Sequence, residues 1–301
     1  MKIVRFSLNN QAYYGTLKGS AVCSAAGSPY TDDFKETDRF YLMGEIKLLP
    51  PCQPYKIVAL GVNYASHGKE MKSQTPDEPL IFLKPSTSVI GPDDDITYPP
   101  STKKLDYEGE LGIVIKKTAQ KVSVKEAKDY ILGYTCVNDV TARDLQAKDG
   151  QWTRAKGFDT FCPIGPCIET ELDPSNLTLE TLVNGKSKQK ASTKELIFGV
   201  YELVSFISNV MTLLPGDVIA TGTPAGIGSL QVGDVVEVKI QNIGSLKNTV
   251  AKPAAKAAAP KPEEKKVPEG GIPAAPSVAK KPAAKKTAAK KPAAKKPAAK
   301  K

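Results

Sequence analysis

Short stretches in which apolar and polar residues alternate open the chain: Ile3 to Phe6 and Ala12 to Leu17 have the period of two that buries one face of a strand. Residues 1–55 therefore read as a small N-terminal β module. Leu48-Leu49-Pro50-Pro51 and Pro54 mark a stiff boundary, after which Lys56-Ile57-Val58-Ala59-Leu60-Gly61 reads as a buried strand. Leu111 to Ile115 predicts another strand, and Tyr134 to Val137 a further one. Ser123-Val124-Lys125-Glu126 has the spacing of a capping box and predicts a helix through Tyr130. Val200, Val204, Ile207 and Met211 share one helical face, and Pro215-Gly216-Asp217 stops that helix before a strand at Val218 to Thr221. Asn184-Gly185 predicts a hairpin turn, and Val236, Val238 and Ile240 alternate with polar residues in what reads as the last strand. Strands outnumber helices, so the fold class is α+β, mainly β, with the main domain over 56–250.

The end of the chain has a different composition. Residues 251–301 hold fifteen lysines against three acids, with Lys-Lys pairs at 280/281, 285/286, 290/291, 295/296 and 300/301. Recurring proline, dense like charge and little apolar area predict a disordered tail. Such a tail suits either a solubilising role or an acidic polymer or nucleic acid held through salt-sensitive phosphate contacts. The formal charge of +10 comes from this segment, because the preceding 250 residues carry 27 basic and 29 acidic residues. The substrate of the folded part must therefore be inferred from a site, not from a global field.

No apolar run approaches a membrane span, and the alternating start does not resemble a signal peptide, so a cytoplasmic protein without a membrane partner is expected. The five cysteines, Cys23, Cys52, Cys136, Cys162 and Cys167, have no Cys-x-x-Cys spacing and read as reduced, mostly buried thiols, with a zinc site a distant second.

The densest chemical signal is Asp106-Tyr107-Glu108-Gly109-Glu110, running into the strand Leu111 to Ile115. Alternate side chains of an extended chain point the same way, which brings the Glu108 and Glu110 carboxylates together. A divalent cation with oxygen ligands would remove their repulsion, and the intervening glycine would leave room for a ligand. Taken alone, Glu-x-Glu also suits a solvated strand end. Asp139 follows an apolar strand that reads as buried, and three carboxylates with open positions are the set expected for Mg²⁺ or Mn²⁺. His67, the only histidine of the chain, stands three residues before Glu70, the spacing at which a helical turn lets a carboxylate orient the imidazole as a base. A surface pair is the alternative.

The order and spacing of these residues resemble the fumarylacetoacetate hydrolase family. The resemblance rests on Gly61-Val62-Asn63-Tyr64 with His67 and Glu70, Phe82-Leu83-Lys84-Pro85, Asp106 to Leu111, Asn138 to Asp144, Lys156-Gly157-Phe158-Asp159 and Thr221-Gly222-Thr223-Pro224. It implies a mixed β-sandwich roll, a homodimer, and Mg²⁺ or Mn²⁺ on Glu108, Glu110 and Asp139. It further implies a His67–Glu70 catalytic pair on a lid, Lys156 offsetting oxyanion charge, Arg143 and Gln146 at the acid end of the substrate, and Thr223 lining the site. The expected reaction is metal-dependent cleavage of a C–C bond in a small 2-oxo or enol carboxylic acid, such as an acylpyruvate, through an enolate. Isomerisation or decarboxylation of hydroxymuconate or heptadienedioate-type enol acids, or of oxaloacetate, uses the same groups. A binding module working through the lysine-rich tail is the alternative of another class. Phe158, Phe161 and Ile164 suit either a pocket wall or the core, and Trp152 has no assigned role.

Overall fold

The computed structural model describes residues 1–253, so the expectation for the lysine-rich tail falls outside the described residues beyond that point. Ten strands form one continuous sheet path in the order Lys35–Leu42, Ala21–Ala26, Gln11–Lys18, Lys2–Leu8, Cys162–Glu169, Ile131–Asn138, Gly109–Ile115, Val218–Ala220, Lys56–Leu60 and Ile81–Pro85. Lys47–Leu49 and Val89–Ile90 pair onto the sides of this path. A second sheet runs Lys186–Ser192, Thr178–Val183, Val235–Ile240, Gly244–Ala251 and Asp95–Thr97, and a small one runs Thr141–Ala142, Leu105–Tyr107 and Gly228–Leu230. Four α-helices are present among the described residues: α1 (Ala65–Glu70), α2 (Arg143–Asp149), α3 (Thr153–Lys156) and α4 (Val200–Val210). The fold is mainly β, a roll of packed mixed sheets with a few short helices. Most pairs are antiparallel, while Lys56–Leu60 and Val218–Ala220 run parallel.

Alternation decides what each strand feeds. In Gly109–Ile115, buried throughout, Leu111, Ile113 and Ile115 join a core that includes Leu179, Val238 and Ile240 of the second sheet and Val200, Leu203, Val204 and Ile207 of α4. Val114 points the other way, into a cluster with Ile57, Val137, Ile164 and Val218. A strand covered on both faces needs the near-continuous apolar run seen here.

Several local readings change in the structure. Ser123 to Glu126 makes its reciprocal bond, with the Glu126 carboxylate accepting from Ser123 N at 3.2 Å, but only a 3₁₀ turn over Ala127–Tyr130 follows. The chain enters the strand Ile131–Asn138 at once, leaving no length for an α-helix. Val235–Ile240 is not the last strand: Gly244–Ala251 pairs with it, burying Leu246, Asn248 and Val250. The polar Asn248 hid this alternation, yet its amide is satisfied by Gly91 O and Asp94 O at 2.9 and 2.8 Å. Asn184 and Gly185 both take positive φ, 51° and 75°, as a two-residue hairpin turn requires. All five cysteines are buried and unpaired, and burial pushes the Cys162 and Cys167 thiols up to about 12. No helix among the described residues is long and apolar enough to cross a membrane.

Asp217, read from sequence only as part of a turn, is fully buried. Its carboxylate accepts from Tyr55 N and Lys56 N, both at 3.1 Å, and from Leu214 N at 2.8 Å, and pairs with the Lys56 ammonium. It thereby ties the start of one central strand to the start of its parallel neighbour. Asp217→Ala strands these donors and is expected to cost about 3–5 kcal/mol. At roughly 2–4 °C per kcal/mol for a body of this size, thermal denaturation should show a fall in Tm of about 6–20 °C.

Candidate active site

Two antiparallel strands deliver three acids to one point. Gly109 lies opposite Asn138, so Glu108, just before one strand, and Asp139, just after the other, meet at the same end. Asp139 N donates to Glu108 O at 2.8 Å, and Asn138 Oδ1 accepts from Glu108 N at 3.0 Å. Glu110 is two residues from Glu108 and shares its face. One carboxylate oxygen from each of Glu108, Glu110 and Asp139 lies within 4.8 Å of the others, and all three residues are buried. That excludes a solvated strand end.

The glycine between the two glutamates serves another purpose than making room for a ligand. A Cβ at Gly109 would lie 2.1 Å from Thr181 Oγ1 of the second sheet, so the residue is small because the sheets approach closely there. Gly222, at φ 97°, is constrained in both ways: a Cβ would lie 2.8 Å from Asn63 Cβ. Its backbone N–H donates to Glu110 Oε2 at 2.7 Å.

Three cations balance the acids unevenly. Lys156, at the end of α3, donates to Glu108 Oε2 at 2.8 Å and to Asp139 Oδ2 at 2.6 Å. Lys84, from the strand Ile81–Pro85, donates to Asp139 Oδ1 at 2.5 Å. Arg143 opens α2 and donates from Nε to Asp106 Oδ2 at 2.9 Å, from Nη1 to Gln146 Oε1 at 2.7 Å, and from Nη2 to Glu108. Burial works to raise the Glu108 pKa, but the adjacent Lys156 and Arg143 charges outweigh it and hold the carboxyl below its usual range. Burial likewise opposes the Lys156 charge, and Asp139 and Glu108 reverse that, raising the ammonium pKa.

Glu110 is the exception. Its Oε1 is buried with no hydrogen-bond partner, and burial, then the Asp139 and Glu108 charges, push its carboxyl well above the normal range. An orphaned buried oxygen beside two anions, in a set of hard oxygen donors, fits a divalent cation. Counted ionised, Asp106, Glu108, Glu110 and Asp139 against Lys84, Lys156 and Arg143 leave one net negative charge, which a divalent ion converts to one net positive charge, the sign an anionic substrate needs.

The His67–Glu70 pair reaches the same place by a different route. Asn63 donates to Thr221 O at 2.7 Å and accepts from Phe198 N at 2.8 Å, which fixes the approach to α1. On α1, His67 Nδ1 lies 3.3 Å from Glu70 Oε2, and Glu70 Oε1 accepts from Gly226 N at 3.1 Å. A cleft of about 100 Å³ is lined by His67, Glu108, Arg143, Gln146 and Lys156 together with apolar groups including Phe82 and Trp152. A roomier groove of about 310 Å³ beside the start of α4 contains none of these residues.

His67, Glu108, Lys156, Arg143 and Gln146 thus line one cleft, with Glu70 bonded to His67 and Glu110 and Asp139 beside Glu108. Thr223 does not line it: its hydroxyl donates to Gly109 O at 2.9 Å and accepts from Gln189 Nε2 at 2.7 Å. Phe161 and Ile164 are core residues, and Phe158 packs on Phe161 at 5.0 Å between ring centroids. Sequence reasoning gave no role to Lys84, Asp106 or Trp152, although all three belong to this constellation. A lysine at an inward position of a strand was the available signal for Lys84, since an isolated buried ammonium is tolerated only when paired.

Fold and site together define an enzyme scaffold, a mixed β roll with a carboxylate-centred cleft at one end of its main sheet. Residues 56–251 match the family described as fumarylacetoacetate (FAA) hydrolase C-terminal, and residues 1–51 match the one described as Rv2993c-like, N-terminal. The chain belongs to the fumarylacetoacetate hydrolase family. It is 42% identical to the solved 2-hydroxyhepta-2,4-diene-1,7-dioate isomerase from Mycobacterium marinum, with TM-score 0.79 over 85% of this chain and 100% of that one. It is 39% identical to the mitochondrial oxaloacetate tautomerase Fahd2a of Rattus norvegicus, over 67% of this chain and 68% of the relative. The maleylpyruvate hydrolase from Sphingobium sp. SYK-6, solved with manganese(II) and pyruvate, is 29% identical with TM-score 0.70, over 84% of this chain and 99% of that one.

Proposed function

We propose that this enzyme cleaves the C–C bond of a short acylpyruvate, with Glu108, Glu110 and Asp139 holding Mg²⁺ or Mn²⁺. The observation that carries the reading is the unpartnered Glu110 Oε1 within a buried carboxylate triad, next to a cleft that also holds the imidazole of His67. The manganese and pyruvate in the maleylpyruvate hydrolase support it. When bound, the cation supplies Lewis acidity toward the carboxylate and 2-oxo oxygens of the substrate.

The residues of the chain do the rest. Glu70, anchored to Gly226 N, holds the His67 ring, and His67 takes a proton from water as that water attacks the distal carbonyl. The C–C bond breaks with its electron pair passing to the pyruvate fragment, and the proton on His67 returns to that fragment's carbon. Lys156 and Lys84 pair with Asp139 and fix its position, and Lys156 and Arg143 hold the Glu108 carboxyl below its usual range. Gln146, whose Oε1 is taken by Arg143, has its amide N–H groups left for a substrate oxygen.

An absorbance assay with acylpyruvates and oxaloacetate, each with Mg²⁺, Mn²⁺ or EDTA, tests this. EDTA-sensitive loss of an acylpyruvate enol is the expected result, and turnover insensitive to EDTA would remove the metal assignment. His67→Ala should lower hydrolysis by about 10²–10⁴-fold while cation affinity is unchanged; full activity in that variant would remove the base.

A second reading is keto–enol tautomerisation of a small 2-oxo diacid. It is favoured by the name of the rat relative and by a His–Glu pair that can relay a proton without adding water. Enol loss from oxaloacetate with no acid product from any acylpyruvate would select it.

A further inference from the structure

We propose that Trp152, braced edge-on by Phe82, sets how long the uncharged end of the substrate can be; this rests on the acylpyruvate reading above. The cleft lining is of two kinds, charged and aromatic, and they meet at Lys156, whose Nζ lies 5.1 Å from the centroid of the Phe82 ring. The Phe82 ring in turn meets Trp152 at 5.2 Å with the planes at 77°, an edge-to-face contact. A substrate whose acid end sits beside Arg143 and Lys156 has this aromatic pair within reach of its other end.

The indole is held from its other side as well. A Cβ at Gly61 would lie 3.2 Å from Trp152 Cη2 and 2.9 Å from Leu80 Cδ2, so the ring tip packs close to bare backbone. The main chain of Trp152 is fixed too, since its carbonyl accepts from Lys156 N at 2.9 Å. Aromatic groups clamped in this way form a fixed end wall.

Charge complements the shape. Lys156 and Arg143 both line the cleft, and both are already paired with carboxylates of the chain. His67 is paired with Glu70. Beyond them the cleft presents Leu60, Val62, Met71, Phe82 and Trp152 with the uncharged polar Ser73 and Gln146, none of which can neutralise a second carboxylate. The cleft is small, about 100 Å³, so little room is left for a long acyl group.

The test compares two substrates on one preparation, so that the active fraction cancels and partial misfolding does not move the result. Wild-type kcat/KM should favour acetylpyruvate over hexanoylpyruvate by at least tenfold. Trp152→Ala should shrink that ratio tenfold or more, while Trp152→Phe leaves it within about threefold. A ratio unchanged by Trp152→Ala would overturn the proposal. If the wild-type enzyme cleaves neither compound, the acylpyruvate reading fails and the wall is tested by binding. Trp152 is the only tryptophan of the chain, so its emission reports occupancy of the cleft directly. In a Mg²⁺-containing titration of pyruvate, 2-oxobutanoate, 2-oxohexanoate and 2-oxooctanoate, affinity should fall at least tenfold between the second and the fourth. Equal affinity along the series would overturn the proposal.

Discussion

Replacing Glu110 with glutamine is expected to abolish cation binding and lower turnover by about a thousandfold while leaving the metal-free protein as stable as wild type or more so. The sign of the stability effect follows from the environment. Glu110 is fully buried, with one oxygen bonded to Gly222 N and the other unpartnered beside two anions. Glutamine keeps an acceptor for Gly222 and places an N–H donor where the orphaned oxygen lies, so repulsion is exchanged for attraction. The loss of activity follows from removing one of three hard ligands from a centre that contributes several kcal/mol, and about 4 kcal/mol corresponds to a thousandfold in rate. The check is a pair of thermal melts. Wild type at a hundredfold excess of Mn²⁺ over its Kd should gain about 2.7 kcal/mol, whereas Glu110→Gln should gain nothing. An equal gain in both proteins would move the cation elsewhere.

Lys156→Met should produce the opposite pattern. The ammonium is nearly fully buried and shared by Glu108 and Asp139. Methionine fills much of the same volume but leaves both anions short of a partner, a change expected to cost about 3–5 kcal/mol and to lower Tm by about 6–20 °C. A divalent ion restores positive charge at that spot, so Mn²⁺ should rescue more stability in Lys156→Met than it adds to wild type. Rescue no greater than the wild-type gain would mean that Lys156 and the cation do not serve the same carboxylates.

Sequence carried the acids further than it carried their partners. Glu108 and Glu110 share a face because strand geometry is local, and Asp139 could be added because it follows an apolar run. His67 and Glu70 meet because three residues is one helical turn. What the sequence left hidden is set by pairing between distant segments. Lys84 reaches Asp139 across 55 positions, and Asp106 holds Arg143 across 37. Neither contact leaves a periodic trace. Gly109 misled for the same reason: the atom that forbids a side chain there belongs to Thr181 of another sheet. Trp152 gave no signal because its significance depends on Phe82 and Gly61, which reach it from the far edge of the main sheet.

The main sheet does not stop at the residues that match the fumarylacetoacetate hydrolase model. Lys2 and Ile3 pair with Glu169 and Ile168, and Val4, Phe6 and Val22 belong to the same apolar cluster as Leu111 and Leu179. A chain trimmed to begin near Pro54 would lose those three side chains from that cluster and leave the Ile168–Glu169 end of its strand as a raw edge open to any other extended peptide. The first fifty residues thus act as a cover for sticky surface, and the penalty for losing them would appear first as insolubility on expression.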